Sequence, residues 1–174
     1  MKVLLLSLIY FTVMIQSPEA QDNTGWIKLS GEAGLTGWHL FKQPGINSAW
    51  TSVDGVISLD ANKKEGRGDI VTDATFGDFE LRFDWKVAKG SNSGIVFLVQ
   101  ESDAHDATWH TGPEFQVIDN TGYPDKLDAK QMAASLYDLI PCPVEFIKPT
   151  GEWNTTVIKL EKGKLEFIVN GKNA

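Results

Sequence analysis

The chain has 174 residues, 42% hydrophobic and 22% charged, with 16 Gly and 7 Pro, which is room for one globular domain and excludes a disordered or fibrous chain. Lys and Arg total 16 against 23 Asp and Glu, a formal net charge of -7, so no concentrated basic surface is at hand and a nucleic-acid partner is not expected. One Cys excludes an internal disulfide and a Cys-rich zinc site, while six Trp suit core or sugar-stacking surfaces.

Met1 and Lys2 give a positive start, and Val3 to Ile15 is apolar apart from Ser7, Tyr10 and Thr12. Ser17, Pro18, Glu19 and Ala20 follow. This predicts a secretory signal peptide over residues 1–20, cleaved near Ala20, and a mature chain that is secreted or periplasmic. The run is short for a membrane span and polar sequence follows at once, so no span is expected after cleavage. An uncleaved N-terminal anchor helix is the alternative.

Beyond the leader the patterns are those of strands. Trp50 to Leu59 and Asp69 to Thr72 predict short strands around Asp54-Gly55 and Gly66 to Gly68. In Asp78 to Val87, Phe79, Leu81, Phe83, Trp85 and Val87 alternate with Glu80, Arg82, Asp84 and Lys86, a strand with one buried and one wet face. Ser93 to Gln100 is apolar on both faces and predicts a covered strand. Pro113 to Asp119 is a further strand of mixed faces. Ala129 to Leu139 is the one helix candidate. Thr155 to Glu161 and Lys164 to Asn170 flank Lys162-Gly163, a hairpin signal. Many short strands with Gly-rich turns predict an all-β sandwich or barrel. The last strand ends on Asn170-Gly171, a turn with no predicted strand behind it, so the expectation is a C-terminally truncated chain with an exposed edge.

Period two puts Glu114, Gln116 and Ile118 on one strand face, and Phe115, Val117 and Asp119 on the other. A carboxylate and an amide two residues apart can converge on one sugar ring; a glycosidase pair would need a second carboxylate on that face. The plainer alternative is a solvated Glu114 on an outer face. Gly90 to Gly94 could present Asn92 and Ser93 to a ligand, or serve only as a tight turn. Asp103, His105, Asp106 and His110 fall within eight residues, a composition suited to a metal but without a known ligand spacing. The alternative is a solvated loop with His110 free to act as acid or base.

The segments GWHLF (37–41), WTSVDGVI (50–57), GDIVTDATFGDFELRFDWKV (68–87), GSNSGIVF (90–97), GPEFQVIDN (112–120), AASLYDL (133–139) and GEWNTTVIKLEKGKLEFIVNG (151–171) occur in this order. Together they resemble the 3-keto-disaccharide hydrolase family, over roughly residues 25–174. The resemblance implies a concanavalin-like jelly roll of two antiparallel sheets with a sugar site on the concave sheet. It departs from the family at Lys42-Gln43-Pro44-Gly45 and in lacking the family's closing segment, which agrees with the truncation reading. The chemistry implied is cleavage of 3-keto-glycosides: a base removes the acidified C2 proton, the C1–O bond breaks by elimination, and water adds back. That needs one base, donors to the enolate oxygen and an acid for the leaving group; a divalent metal ion could hold the enolate oxygen instead. On the family motifs, Glu114 is expected as the catalytic carboxylate, with Asp119 as second choice and His110 as proton shuttle. Gln116, Asn92, Ser93, Tyr137, Trp153 and Asn154 are expected to bind substrate, and the partner is a carbohydrate. A non-catalytic carbohydrate-binding jelly roll, and an ordinary glycosidase on the same fold, are the alternatives.

Overall fold

In the computed structural model the described residues are 7–14, 25–30, 34–45, 48–60 and 62–174, the first of these as backbone. Twelve strands run through them: β1 Ser7–Met14, β2 Trp26–Ile27, β3 Trp38–Leu40, β4 Trp50–Val53, β5 Val56–Leu59, β6 Ile70–Thr72, β7 Phe79–Val87, β8 Asn92–Val96, β9 Glu114–Ile118, β10 Asn154–Glu161, β11 Lys164–Val169 and β12 Lys172–Asn173. All pairings are antiparallel. The large sheet has the order β12-β11-β10-β7-β1-β5-β4, with β2 also paired to β1; β3–β6 and β8–β9 form two smaller sheets. The chain is an all-β sandwich of antiparallel sheets.

The alternation in β7 decides how the layers meet. Leu81, Phe83, Trp85 and Val87 are buried, and Phe79 packs half-buried against the same core. Thr156, Ile158 and Leu160 of β10 and Phe167 and Val169 of β11 continue that face across the sheet. Opposite them, Ile95 of β8 and Phe115 and Val117 of β9 close the core. Phe115 is the hub: its ring stands edge-to-face with Phe167 at 5.1 Å, Phe83 at 5.6 Å and Trp85 at 6.2 Å, within the range where aromatic pairs gain beyond simple burial. The indole N–H of buried Trp85 donates to Thr156 Oγ1 at 2.9 Å, so it carries no unpaired donor into the core.

The three expected turns form as two-residue turns with both central residues at positive φ: Asp54-Gly55, Lys162-Gly163 and Asn170-Gly171. Behind the third, where no strand was expected, a short one forms. The chain does turn back there, and Lys172–Asn173 pairs with Val169 and Ile168 as β12.

Two further expectations need correction. Ala129 to Leu139 is not a helix. A single 3₁₀ turn, Ala129–Gln131, is capped by Asp128, and Ala134 and Asp138 then take φ of 63° and 56°, which an α-helix does not allow. The segment is held instead by packing, with Ala133, Ala134 and Ser135 buried and Leu136 bridged to Phe115. The strand expected over 93–100 starts at Asn92 and ends at Val96, because Leu98 has φ of 61°.

The expected cleavage position near Ala20 lies outside the described residues. Within the apolar run, β1 lies between β7 and β5, paired with β7 from Ser7↔Val87 to Met14↔Glu80. Among the described residues no helix is long and apolar enough to cross a membrane.

Candidate active site

The β8–β9 pair has two faces with different tasks. The register sets Asn92 against Ile118, Gly94 against Gln116 and Val96 against Glu114. Phe115 and Val117 enter the core; Glu114 and Gln116 therefore share the other face with Asn92 and Gly94. That face borders a cavity of about 730 Å³, a size suited to a small ligand. The cavity lies between the β3–β6 pair and the β8–β9 pair. Its apolar floor includes Ile57, Phe79 and Leu81, and its polar groups include Arg67, Asp69, Asn92, Ser93, Gln116 and Tyr137 around Glu114.

Glu114 is the perturbed group of the cavity. Burial pushes its carboxyl up to about 7, with the negative charge of Asp69 adding to the effect. A carboxyl poised near neutrality can both take and return a proton. Its place depends on Gly94: a Cβ there would overlap the Glu114 carboxylate. Gln116 is buried, and its amide oxygen accepts from the Val117 N–H at 2.9 Å. The NH₂ end is thus left to donate to a ligand. Tyr137 is tied to the same strand, its backbone N–H donating to the Glu114 carbonyl at 2.9 Å. Burial raises the Tyr137 phenol, with the charges of Asp138 and Glu114 adding to it, so it stays a hydrogen-bond donor at neutral pH.

The structure separates the other expected site residues from this group. Asp119 is buried away from the cavity and fully engaged: it accepts from Thr150 Oγ1 at 2.6 Å, from the Gly90 N–H at 2.8 Å and from Thr121 Oγ1 at 3.0 Å. Burial alone would raise its pKa, but these bonds outweigh that and hold it far below the usual carboxylate range. Asp119 clamps these loops and does not line the cavity. Asn154 is equally structural, buried with its amide oxygen accepting from the Lys148 N–H and from Asn170 Nδ2. Trp153 lies on the outer face of the large sheet, with Lys86 Nζ 4.8 Å from its ring centroid. Period-two reasoning has no means of locating residues contributed by a different sheet. His110 is exposed beside the cavity rim, its ring edge-on to Trp109 at 5.7 Å. Among the described residues no three His, Cys, Asp or Glu side chains converge to hold a metal, so Asp103, His105, Asp106 and His110 do not form a metal centre.

Among the cavity residues that escaped the sequence reading are Trp50, Arg67, Asp69 and Trp109. Asp69 and Trp50 do occur in the family-like segments, but as ordinary strand residues, and nothing in their spacing couples them to Glu114. Asp69 also accepts from Thr108 Oγ1 at 2.7 Å and so fixes the turn that carries Trp109. The loop before that turn is held by a second cluster. His39 Nδ1 lies 2.7 Å from Asp73 and Nε2 lies 2.8 Å from Glu101, and Lys42 Nζ donates to the His105 carbonyl at 2.9 Å.

The all-β sandwich of antiparallel sheets places the chain among glycosyl-hydrolase-like folds. A Parabacteroides distasonis crystal structure of a protein provisionally named a glycosyl hydrolase superposes with a TM-score of 0.71 at 29% identity, covering 80% of this chain and 66% of that one. A second from the same organism gives 0.61 at 24% identity, over 79% and 70% of the two chains. The profile of the 3-keto-alpha-glucoside-1,2-lyase-like domain matches residues 25–174, and the chain belongs to that family. A Bacteroides thetaiotaomicron protein named 3-keto-disaccharide hydrolase is 37% identical over 169 residues, 87% of this chain; the chain spans 57% of that relative's length.

Proposed function

We propose that this chain cleaves the glycosidic bond of 3-keto-glycosides or 3-keto-disaccharides, outside the cytoplasm, by elimination and rehydration. The observation that carries this reading is the carboxyl of Glu114, held near neutrality by burial, with the donors Gln116 and Tyr137 on the same cavity. A retaining or inverting glycosidase would need a second acid on the sugar. Asp69 is the nearest candidate, but its oxygen Oδ2 is bound by Thr108. A 3-keto sugar needs only one base, because the ketone makes the C2 proton acidic. The names of the similar proteins agree with such a substrate.

In the proposed sequence Glu114 as carboxylate takes the C2 proton, and the electron pair moves to the C3 oxygen as an enolate. The Gln116 NH₂ and the Tyr137 hydroxyl are the available donors to oxygen atoms of that enolate. The pair then returns to form the C1–C2 double bond, and the C1–O bond breaks. The departing oxygen takes a proton, and Glu114, now neutral, can supply it. Water finally adds its hydroxyl to C1 and a proton to C2, so the net reaction is hydrolysis. Export rests on the charged-then-apolar leader.

The test uses a 3-keto-glucoside and its unoxidised parent. Release of the aglycone from the keto compound alone supports the proposal. Binding without turnover marks a sugar-binding module, and turnover of the parent marks an ordinary glycosidase. Glu114→Gln keeps the shape and removes the charge. It is expected to lower the rate by about 10²–10⁴-fold and to abolish C2–H exchange in D₂O; full exchange in the variant overturns Glu114 as the base.

A further inference from the structure

Trp109 is a large apolar side chain left 59% exposed, on a turn that is otherwise firmly seated. Ala107 and Thr108 beside it are buried, and Thr108 donates its hydroxyl to Asp69. His110 stands T-shaped against the indole, with the ring centroids 5.7 Å apart. Two other indoles differ: Arg82 lies 4.4 Å over half-buried Trp26, and Lys86 lies 4.8 Å over exposed Trp153. Trp38 and Trp50 spend their N–H groups on the carbonyls of Leu29 and Gly68. The Trp109 N–H has no hydrogen-bond partner among the described residues, and the side chain lies in the wall of the Glu114 cavity. A mostly exposed indole with an unused N–H donor suits one kind of ligand, a ring with a hydrophobic C–H face and hydroxyl acceptors at its edge.

We infer that Trp109 is the stacking wall of a second sugar subsite, which takes the ring on the leaving-group side of the bond cleaved at Glu114. This rests on the proposed 3-keto-glycoside activity for the position of the first ring. Asp69 links the two places physically, since it faces Glu114 electrostatically and anchors Thr108. The substrate class is thereby narrowed from simple alkyl glycosides to disaccharides and other glycosides with a ring aglycone.

The experiment compares maltose with methyl α-glucoside by calorimetry, and their 3-keto derivatives by turnover, in the wild type, Trp109→Ala and Trp109→Phe. Trp109→Ala is expected to weaken maltose binding, and to raise KM for the 3-keto disaccharide, by about fivefold to tenfold. The methyl glycosides should shift much less. Trp109→Phe keeps a π-face and should recover most of the loss, which a merely structural role would not predict. Thermal melting of each variant checks the fold, which an exposed side chain should leave intact.

Equal losses for the two sugars, or none for maltose, overturn the subsite. Trp109-dependent maltose binding without turnover of any 3-keto sugar leaves the subsite standing and overturns the activity. Turnover with no Trp109 selectivity does the reverse. A wild type that neither binds nor cleaves any of the four compounds overturns both.

Discussion

The carboxylate of Glu114 occupies the space that a side chain on Gly94 would take. The two residues lie on neighbouring strands, with Gly94 paired to Gln116 and Glu114 to Val96, so the contact is diagonal across the β8–β9 ladder. Gly94→Ala should therefore move Glu114 without unfolding the protein, since the added methyl meets the end of a side chain and not backbone. The expected outcome is a fall in kcat of at least tenfold with a melting temperature within a few degrees of wild type. An unchanged kcat would show that the position of Glu114 does not matter.

Glu114 should also leave a signature in the pH dependence. As the base it must be ionised, so kcat/KM should rise with pH through about 7. Its folded pKa lies above the ordinary value of 4.5, so the folded state holds the proton more tightly than the unfolded chain. Stability should then fall as pH rises from about 4.5 to 7, and this slope should disappear in Glu114→Gln. Denaturant titrations at pH 5 and 8 on both proteins measure it. A rate that falls through pH 7 would make Glu114 the acid.

The cluster around His39 predicts a different pH response. The hydrogen bond that the His39 ring donates to Glu101 chiefly raises the imidazole pKa, against partial burial, and Asp73 adds to it. A raised histidine contributes stability that is fully present below its ordinary value of 6.5 and is lost as pH rises through the folded value. Amide exchange, corrected for its intrinsic pH dependence, should show residues 98–107 loosening above that point. In His39→Gln the loop should be equally mobile at all pH values, and a loop indifferent to both changes would rule out this role of the His39 cluster.

Phe83 is 2% exposed and edge-on to Phe115. Phe83→Ala should cost about 3–5 kcal/mol in a denaturant titration. A loss below about 1 kcal/mol would mean that the β7 register or its burial is wrong.

Export and retention of β1 are exclusive fates for the same residues. The mass of the protein recovered outside the cytoplasm is expected to begin near Gln21. In that mature chain the ladder from Ser7↔Val87 to Met14↔Glu80 is absent, so amides along β7 should exchange faster than in the chain that keeps residues 1–20, unless another strand takes the place. A secreted protein still beginning at Met1 would count against the leader.

Local pattern by itself determined much of this protein. Strict alternation named the buried face of β7, because side chains in a strand point to opposite sides every second residue whatever the fold. Paired turn residues located three turns, because few residues tolerate two successive positive φ values; the strand behind Asn170-Gly171 was not among the expected elements. The same period placed Glu114 and Gln116 together and Asp119 apart from them. The weak helix over 129–139 failed because packing of Ala133 and Ala134 against the core outweighed a marginal local preference. What alternation could not supply was which surfaces meet. Asn154 and Trp153 looked like binding residues from their motif, yet Asn154 opens a strand of the other sheet and Trp153 directly precedes it. Asp69 and Trp109 lie about 40 residues apart, and each looked ordinary alone. Only the closing of the sheets brought the charge of Asp69 to Glu114 and the turn at Thr108 to Asp69, and only burial moved the Glu114 carboxyl toward neutrality, since desolvation belongs to a cavity and not to a residue.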